Sequence, residues 1–502
     1  MYSLSISTFL VACAVLAGAS NANAQTYKAD VPNSIKTPDV IETERLGALK
    51  FFDGMPDEET VKKVYDNLDF SRGVEAFLSG MPAASLYKMC TGFEKAGIPA
   101  HTIAIAEELL DARSLWLTAN STTVYVTTCL DLKQGPVVVE VAPGLLGGTQ
   151  DAFFRWGTDI GVTGPDQGRG GRYLFLPPHY DGPVPQGGYH IVRTETNMHW
   201  MLGRAFVTDG DNEAAVAGVK AGMKAYLFSE AKSPPEETFV NFSGSQMNTI
   251  HANDVTFYDE LNAVVQNEPV DAFNPEITGL FASIGIKKGQ PFAPDKRMKK
   301  ILTEAAAVGN ATARALAFRP RDRDLFYYYP DRQWYTGFAG GSHEFLDNGE
   351  LGLDRRTTFH YVATGVTPAM AAPQVGTGSI YAFTPHDRDG NYLDGSKTYK
   401  VTLPGPVPMN NFWSFVVYSP QHRSMLETDQ RLAGLDSTLS TVTPEEDGSY
   451  TVWFGPKAPK GHEDHWVQTM PGQGFAVILR LYGPLEPWFD KSWKPGDLEL
   501  VD

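Results

Sequence analysis

Between residues 408 and 495, short runs rich in Val, Ile, Phe, Tyr and Trp alternate with Pro, Gly or Asp-Gly. The runs read PMNNFWSFVVYS, EEDGSYTVWFG and HWVQTMPGQGFAVILRLYGPLEPWFDKSWKP. Branched and aromatic side chains suit a pleated surface, and Gly and Pro end it, so this stretch predicts successive antiparallel strands. The pattern begins near Thr357, in TFHYVA. An earlier strand pattern occupies 123–207, in TVYVTTCLDL, PVVVEVA, RYLFLPP, GYHIVRTET and HWMLGRAFV, interrupted by the loop GPDQGRGGRY.

Two other stretches carry a helical pattern. Residues 57–97 open with DEETVKKVYDNLDF, whose acidic start suits the positive end of a helix dipole. Residues 212–318 contain EAAVAGVKAGMKAYLF, NDVTFYDELNAVVQ and PDKRMKKILTEAAAVGNATARALAF, with Asn253 placed to cap the second. After Arg319 comes an aromatic, Arg-rich bridge, RPRDRDLFYYYPDRQWYTGF. Strands, then helices, then strands predict an α+β protein with two antiparallel β-sandwiches, 115–210 and 321–502. A helical region precedes the first (25–114) and a helical section separates the two (211–320). A doubly wound parallel sheet would need strict alternation of strand and helix.

The first residues change the picture of where the protein works. Phe9 to Ala19 is an apolar run and Ala22-Asn23-Ala24 a small–x–small cleavage site, so 1–24 reads as a signal peptide. The run is too short to span a bilayer, and no Lys or Arg precedes it. A rival reading lipidates Cys13. The expectation is an exported protein, periplasmic or secreted, with no membrane association after cleavage. The net charge of −17 and a pI near 5.1 exclude a polyanion-binding role, which needs clustered Lys and Arg, so no nucleic-acid partner is expected. A small molecule is the expected partner, and homo-oligomerisation stays open. Beyond the signal only Cys90 and Cys129 remain, either as one disulfide or as two buried thiols. Sequons begin at Asn120, Asn241 and Asn310.

Familiar catalytic words are absent: there is no Gly-x-Ser-x-Gly elbow, His-Glu-x-x-His helix or phosphate loop. Asp387-Arg388-Asp389-Gly390-Asn391 offers oxygen ligands for Ca²⁺ but lacks the terminal bidentate Glu, and a hairpin turn explains the same letters. His462-Glu463-Asp464-His465 is the densest ligand cluster, with His462 and His465 as weak zinc candidates lacking a third ligand. No cofactor is identified.

The segments NSTTVYVTTCLDLKQGPVVVEV, GRYLFLPP and WMLGRAFV, followed by DRDGNYLDGSKTYKVTLPGPVP, NFWSFVVYS and RLYGPLEPWFDKSW, resemble one tandem family. In it, domain of unknown function 1254 is followed by domain of unknown function 1214. The resemblance implies two jelly-roll-like β-sandwiches plus helices, and no activity. In the family pattern an Asn commonly precedes the Trp found here as Trp466, so His465 is a departure.

Three function classes follow: a ligand-binding protein with a cleft between its β domains, an acid–base or hydrolytic enzyme on a small molecule, and an assembly subunit. The bridge and the following DRRTTFHY concentrate Arg, Tyr and Asp, which suits either a carboxylate or sugar-like ligand or a self-satisfied inter-domain seam. A site there would be lined by Arg332, Arg355, His360 and Arg480, with Tyr328 and Trp413 as walls. Arg480 alternates with Leu479 and Leu481 in VILRLYG, so it faces solvent or a polar cleft.

Overall fold

The computed structural model describes residues 29–207 and 211–501. The signal segment 1–24, with Cys13, lies outside the described residues. The chain divides into two compact units at Asp66. In the first, Val40–Thr43, Gly47–Phe52 and Met55–Pro56 form a three-stranded meander. Helix α1 (Glu58–Lys95) starts before that boundary and continues as the first element of the second unit, to which everything below belongs.

α1 follows the helical pattern predicted over 57–97. Its buried face carries Phe77, Met81, Leu86, Met89 and Phe93. Contact with a later helix is close: a methyl group at Gly309 would lie 2.8 Å from the Phe77 ring, so only glycine fits there. Cys90 on α1 is joined to Cys129, which decides between the two cysteine readings in favour of the disulfide.

The first β region has two sheets. One contains β1 (Ile103–Ile105), β2 (Val124–Asp131), β4 (Leu146–Asp151), β5 (Trp156–Gly161), β8 (Met198–Ala205) and β10 (Phe239–Asn241), in the order β10-β1-β2-β8-β4-β5. The other contains β3 (Val137–Val141), β6 (Gly171–Leu176), β7 (His190–Arg193) and β9 (Lys224–Leu227), in the order β7-β6-β3-β9. Alternation decides what each face meets. Val124, Val126, Leu130 and Met201 meet Val137, Val139, Tyr173 and Phe175 in one core between the sheets. Tyr125, Cys129 and Trp200 point the other way, into the larger core shared with the helices and the second β region.

Residues 211–318 hold more than helices, so the boundary at 210 cuts through the first β region. The segment EAAVAGVKAGMKAYLF is helical only as α2 (Asn212–Gly222); its end is β9, where Tyr226 pairs with Val138. Ala225 packs into the inter-sheet core and Tyr226 to the opposite side, a strand alternation too short to stand out beside a helix. β10 then completes the six-stranded sheet. Helices α3 (Phe257–Asn267), α4 (Pro275–Ser283) and α5 (Lys296–Phe318) follow. Asn253 does not cap α3: the cap position is Thr256, and the Asn253 side-chain oxygen is buried without a partner.

A second correction concerns TFHYVA. Helix α6 (Leu353–Val362) replaces the predicted strand, with residues 355–362 all buried. Thr and aromatic residues favour strands only weakly, and burial on every side overrides that preference. Tyr361 donates to Asn310 Oδ1 at 2.8 Å and so ties α6 to α5.

The second β region also has two sheets. β11 (Ser379–Thr384), β13 (Trp413–Tyr418), β14 (Gly434–Asp436) and β17 (Ala476–Tyr482) run in the order β11-β17-β13-β14. β12 (Tyr399–Leu403), β15 (Tyr450–Gly455), β16 (Trp466–Gln468) and β18 (Glu499–Leu500) run in the order β16-β15-β12-β18. The pair packs face to face through contacts such as Phe415 against Phe454 and Trp413 against Tyr450. Most pairings in both regions are antiparallel, but β6–β7, β1–β10 and β15–β16 are parallel, which the sequence reading did not expect. The architecture is mixed α+β. Among the described residues no helix is long and apolar enough to cross a membrane.

Candidate functional site

Strand register places two arginines on facing sheets. On β8, Met201 and Ala205 enter the inter-sheet core, so Arg204 projects from the opposite face, directly beside Tyr125 on β2. On β17, Leu479 and Leu481 enter the second core, so Arg480 also projects away from it, flanked by Tyr381 on β11 and Ser414 on β13. The two outward faces enclose a cavity of about 90 Å³. Its walls are mostly apolar, with Trp116, Phe338, Phe359, Val362 and Ile478 among them.

Arg204 donates from Nη1 to the Tyr381 hydroxyl at 3.1 Å. Arg480 donates from Nη2 to the Thr118 carbonyl at 2.9 Å and the Tyr418 hydroxyl at 2.8 Å. Each still has a buried nitrogen without a partner, Nε of Arg204 and Nη1 of Arg480. Arg480 is 2% exposed. Among the described residues neither pairs with a carboxylate; the groups that act on them electrostatically are tyrosines 125, 381, 418 and 482. Tyr381 responds to both charges. Burial by itself would raise its phenol, but Arg204 and Arg480 together outweigh that and hold it below the usual tyrosine range. Asn120 adds to the polar lining, its Nδ2 donating to the Tyr125 hydroxyl at 3.1 Å, and Tyr418, outside the lining, donates to the Ala119 carbonyl at 2.6 Å.

Of the six residues expected to form a site, only Arg480 lines this cavity, and the six do not converge. Arg332 pairs with Asp331 and donates to the Pro495 carbonyl. Arg355 lies 3.7 Å from Asp347 in a separate crevice. His360 is packed among Phe154, Phe345 and Phe359, where burial lowers its pKa to about 3 and keeps it neutral. Trp413 is core, and Tyr328 packs on Trp488 while donating to the Tyr381 carbonyl. The bridge is therefore a seam: Arg321 pairs with Asp354, and Arg323 lies over the Tyr327 ring.

The other candidates have structural occupations. His465 uses both ring nitrogens, with the Thr451 carbonyl and the Thr443 amide, and His462 lies against Trp453. Asp387 Oδ1 accepts from the Asp389 and Asn391 amides, the geometry of a turn. Arg204 and Tyr381 were missed. The signal for Arg204 is the one that marked Arg480, a charge between apolar neighbours on a strand (HWMLGRAFV).

Family comparison covers both arginines of the cavity. Protein of unknown function (DUF1254) matches residues 101–227, and Protein of unknown function (DUF1214) matches 378–486. The chain carries the DUF1254–DUF1214 tandem. Arg204 lies in the DUF1254 match, Tyr381 and Arg480 in the DUF1214 match, while Phe338, Phe359 and Val362 of the lining come from the segment between the two. Among solved structures, the VPA0106 protein from Vibrio parahaemolyticus is similar at 18% identity and TM-score 0.55, over 86% of this chain and all of that one. That likeness shows a shared fold. A putative uncharacterized protein from Burkholderia cenocepacia is 12% identical, with TM-score 0.40, over 88% of this chain and 96% of its own. No curated protein matches the chain.

Proposed function

We propose that this DUF1254–DUF1214 protein is exported and binds a small organic anion, a carboxylate first of all, in the cavity between two jelly-roll-like β-sandwiches. The observation that carries this reading is the pair Arg204 and Arg480: two guanidiniums that line the cavity without a carboxylate partner among the described residues. An unpaired buried charge costs several kcal/mol, and an anionic ligand offsets that cost. Guanidinium forks match a carboxylate in bidentate geometry, and the apolar walls exclude water and strengthen the contact. The Cys90–Cys129 bond supports export, because such bonds persist in oxidising compartments.

Tyr381 favours a second reading, acid–base chemistry on the bound anion. A phenol held by two cations ionises more readily than a free one, and the phenolate it forms is a base that can take up a proton from the bound ligand. A thermal-shift screen of carboxylates, inorganic phosphate and neutral sugars separates binding from non-binding by mass action on the folded state. Carboxylates are expected to raise the melting temperature of the native protein and to leave the Arg480→Met variant unmoved. Stabilisation by sugars alone, or an equal response in the variant, rejects the anion site.

A further inference from the structure

The cavity continues past Arg204 into a second compartment with a different lining. Leu202, Arg204, Thr364, Gly365, Met370 and Tyr381 border both. Beyond this partition the first compartment is rich in rings, whereas the second, besides Leu146 and Trp200, is walled by Gly147, Gly148, Gln150, Thr163, Thr367 and Ser379. Its closeness is set by small residues: a methyl group at Gly148 would lie 2.8 Å from Thr367 Cγ2. It also contains unused polar capacity. Gln150 is 2% exposed; its Nε2 donates to the Val366 carbonyl at 2.9 Å, and its Oε1 has no partner. Ser379, 4% exposed, also lines it, with its hydroxyl beside the Tyr381 phenol.

Buried polar atoms are almost always hydrogen-bonded, so an acceptor without a partner beside a cavity marks a place where a ligand group completes the set. Three environments then converge on one point. Arg204 and Arg480 receive the anion, the ring-lined compartment receives an apolar arm, and the compartment of small polar residues receives a short hydrogen-bonding arm. Resting on the anion-site reading, we infer that the ligand class is a 2-substituted carboxylate, with an apolar arm and a small amide or hydroxyl group on the carbon next to the carboxylate. An amide N–H in the second compartment has Gln150 Oε1 to donate to. Three-point contact of this kind distinguishes mirror images, because the wrong enantiomer places either the polar group among the rings or the apolar arm among unsatisfied polar atoms.

The test is calorimetric binding of 3-phenylpropanoate and the two enantiomers of N-acetylphenylalanine to the mature protein and to Ala369→Leu. Ala369 lines the second compartment alone. The wild type is expected to bind one enantiomer at least about tenfold more tightly than the other, a gap of about 1.4 kcal/mol. In Ala369→Leu that preference disappears, while 3-phenylpropanoate, which has no second arm, binds as before. Equal affinity of the two enantiomers for the wild type overturns the inference and leaves the anion site standing if 3-phenylpropanoate binds. A preference that survives in Ala369→Leu, or an equal loss of all three ligands, overturns it as well. Failure of all three to bind the wild type overturns both readings. The wild-type enantiomer comparison decides the matter even if the variant does not fold.

Discussion

Arg204 and Tyr381 meet across the two modules, the guanidinium Nη1 donating to the phenol oxygen at 3.1 Å. One residue belongs to the DUF1254 match and the other to the DUF1214 match. The polar centre of the cavity therefore exists only when both modules are assembled.

Arg480 separates function from stability. Replacing a buried, unpaired charge by an apolar side chain of similar length is commonly neutral or stabilising, whereas a purely structural arginine is missed when removed. Arg480→Met is expected to keep or raise the melting temperature without ligand and to weaken carboxylate binding at least about tenfold, a loss of about 1.4 kcal/mol. A large drop in stability together with unchanged binding would falsify the assignment.

Tyr381 gives the site a pH dependence. With a folded pKa below its unfolded value, the phenol ionises first in the native protein. It thereby adds stability as pH rises through the folded pKa, and that contribution is full above the unfolded value. The phenolate then occupies the charge that the ligand needs. Carboxylate affinity is expected to fall as pH approaches the tyrosine range from below, and Tyr381→Phe to remove that fall. Titration calorimetry across the alkaline range checks it; an identical profile in the variant excludes Tyr381 as the titrating group.

Glu268 predicts an opposite trend in acid. The side chain is fully buried and accepts from the Asn197 and Met198 amides and from Asn267 Nδ2. Burial raises its pKa from 4.5 to about 6 against the opposing pull of those hydrogen bonds. Its stabilising contribution is full below 4.5 and is lost as pH rises through about 6, by roughly 2 kcal/mol at about 1.4 kcal/mol per unit. Urea unfolding across that window shows the decline in the wild type and a flatter curve in Glu268→Gln; matching curves rule out Glu268 as its source.

The Cys90–Cys129 bond joins α1 to β2 over a sequence separation of 39. Cross-linking a loop of that length contributes about 3–4 kcal/mol on the chain-entropy account. A Cys90→Ser/Cys129→Ser double variant is expected to unfold at lower denaturant by that order, and addition of reductant to the wild type to reproduce the effect. No response to either measurement argues that the bond is not formed in solution.

Local pattern was enough for elements whose periodicity is long. The runs containing Val124 and Val126 and those containing Val477 and Leu479 are rich enough in branched and aromatic residues, between Gly and Pro turns, to be read as strands, and the long helix through Phe77 and Phe93 shows its acidic start. Local pattern also carried the α+β composition and, through the motifs around Trp413 and Tyr482, the tandem itself. It failed where neighbours far along the chain overrule weak preferences. Thr357–Val362 has strand-like letters but is enclosed on all sides and folds as a helix, while Lys224–Leu227 becomes a strand because β3 offers it an edge. The site shows the same division. Sequence alternation made Arg480 stand out as a charge among apolar neighbours, without saying what it faces. Only the packing of one sheet's outward face against the other's put Arg204 and Tyr381 beside it, some hundred to three hundred residues away along the chain. Periodicity is a property of adjacent residues and can be read along a chain; convergence depends on which faces are left over once each core is filled, and that is decided in three dimensions.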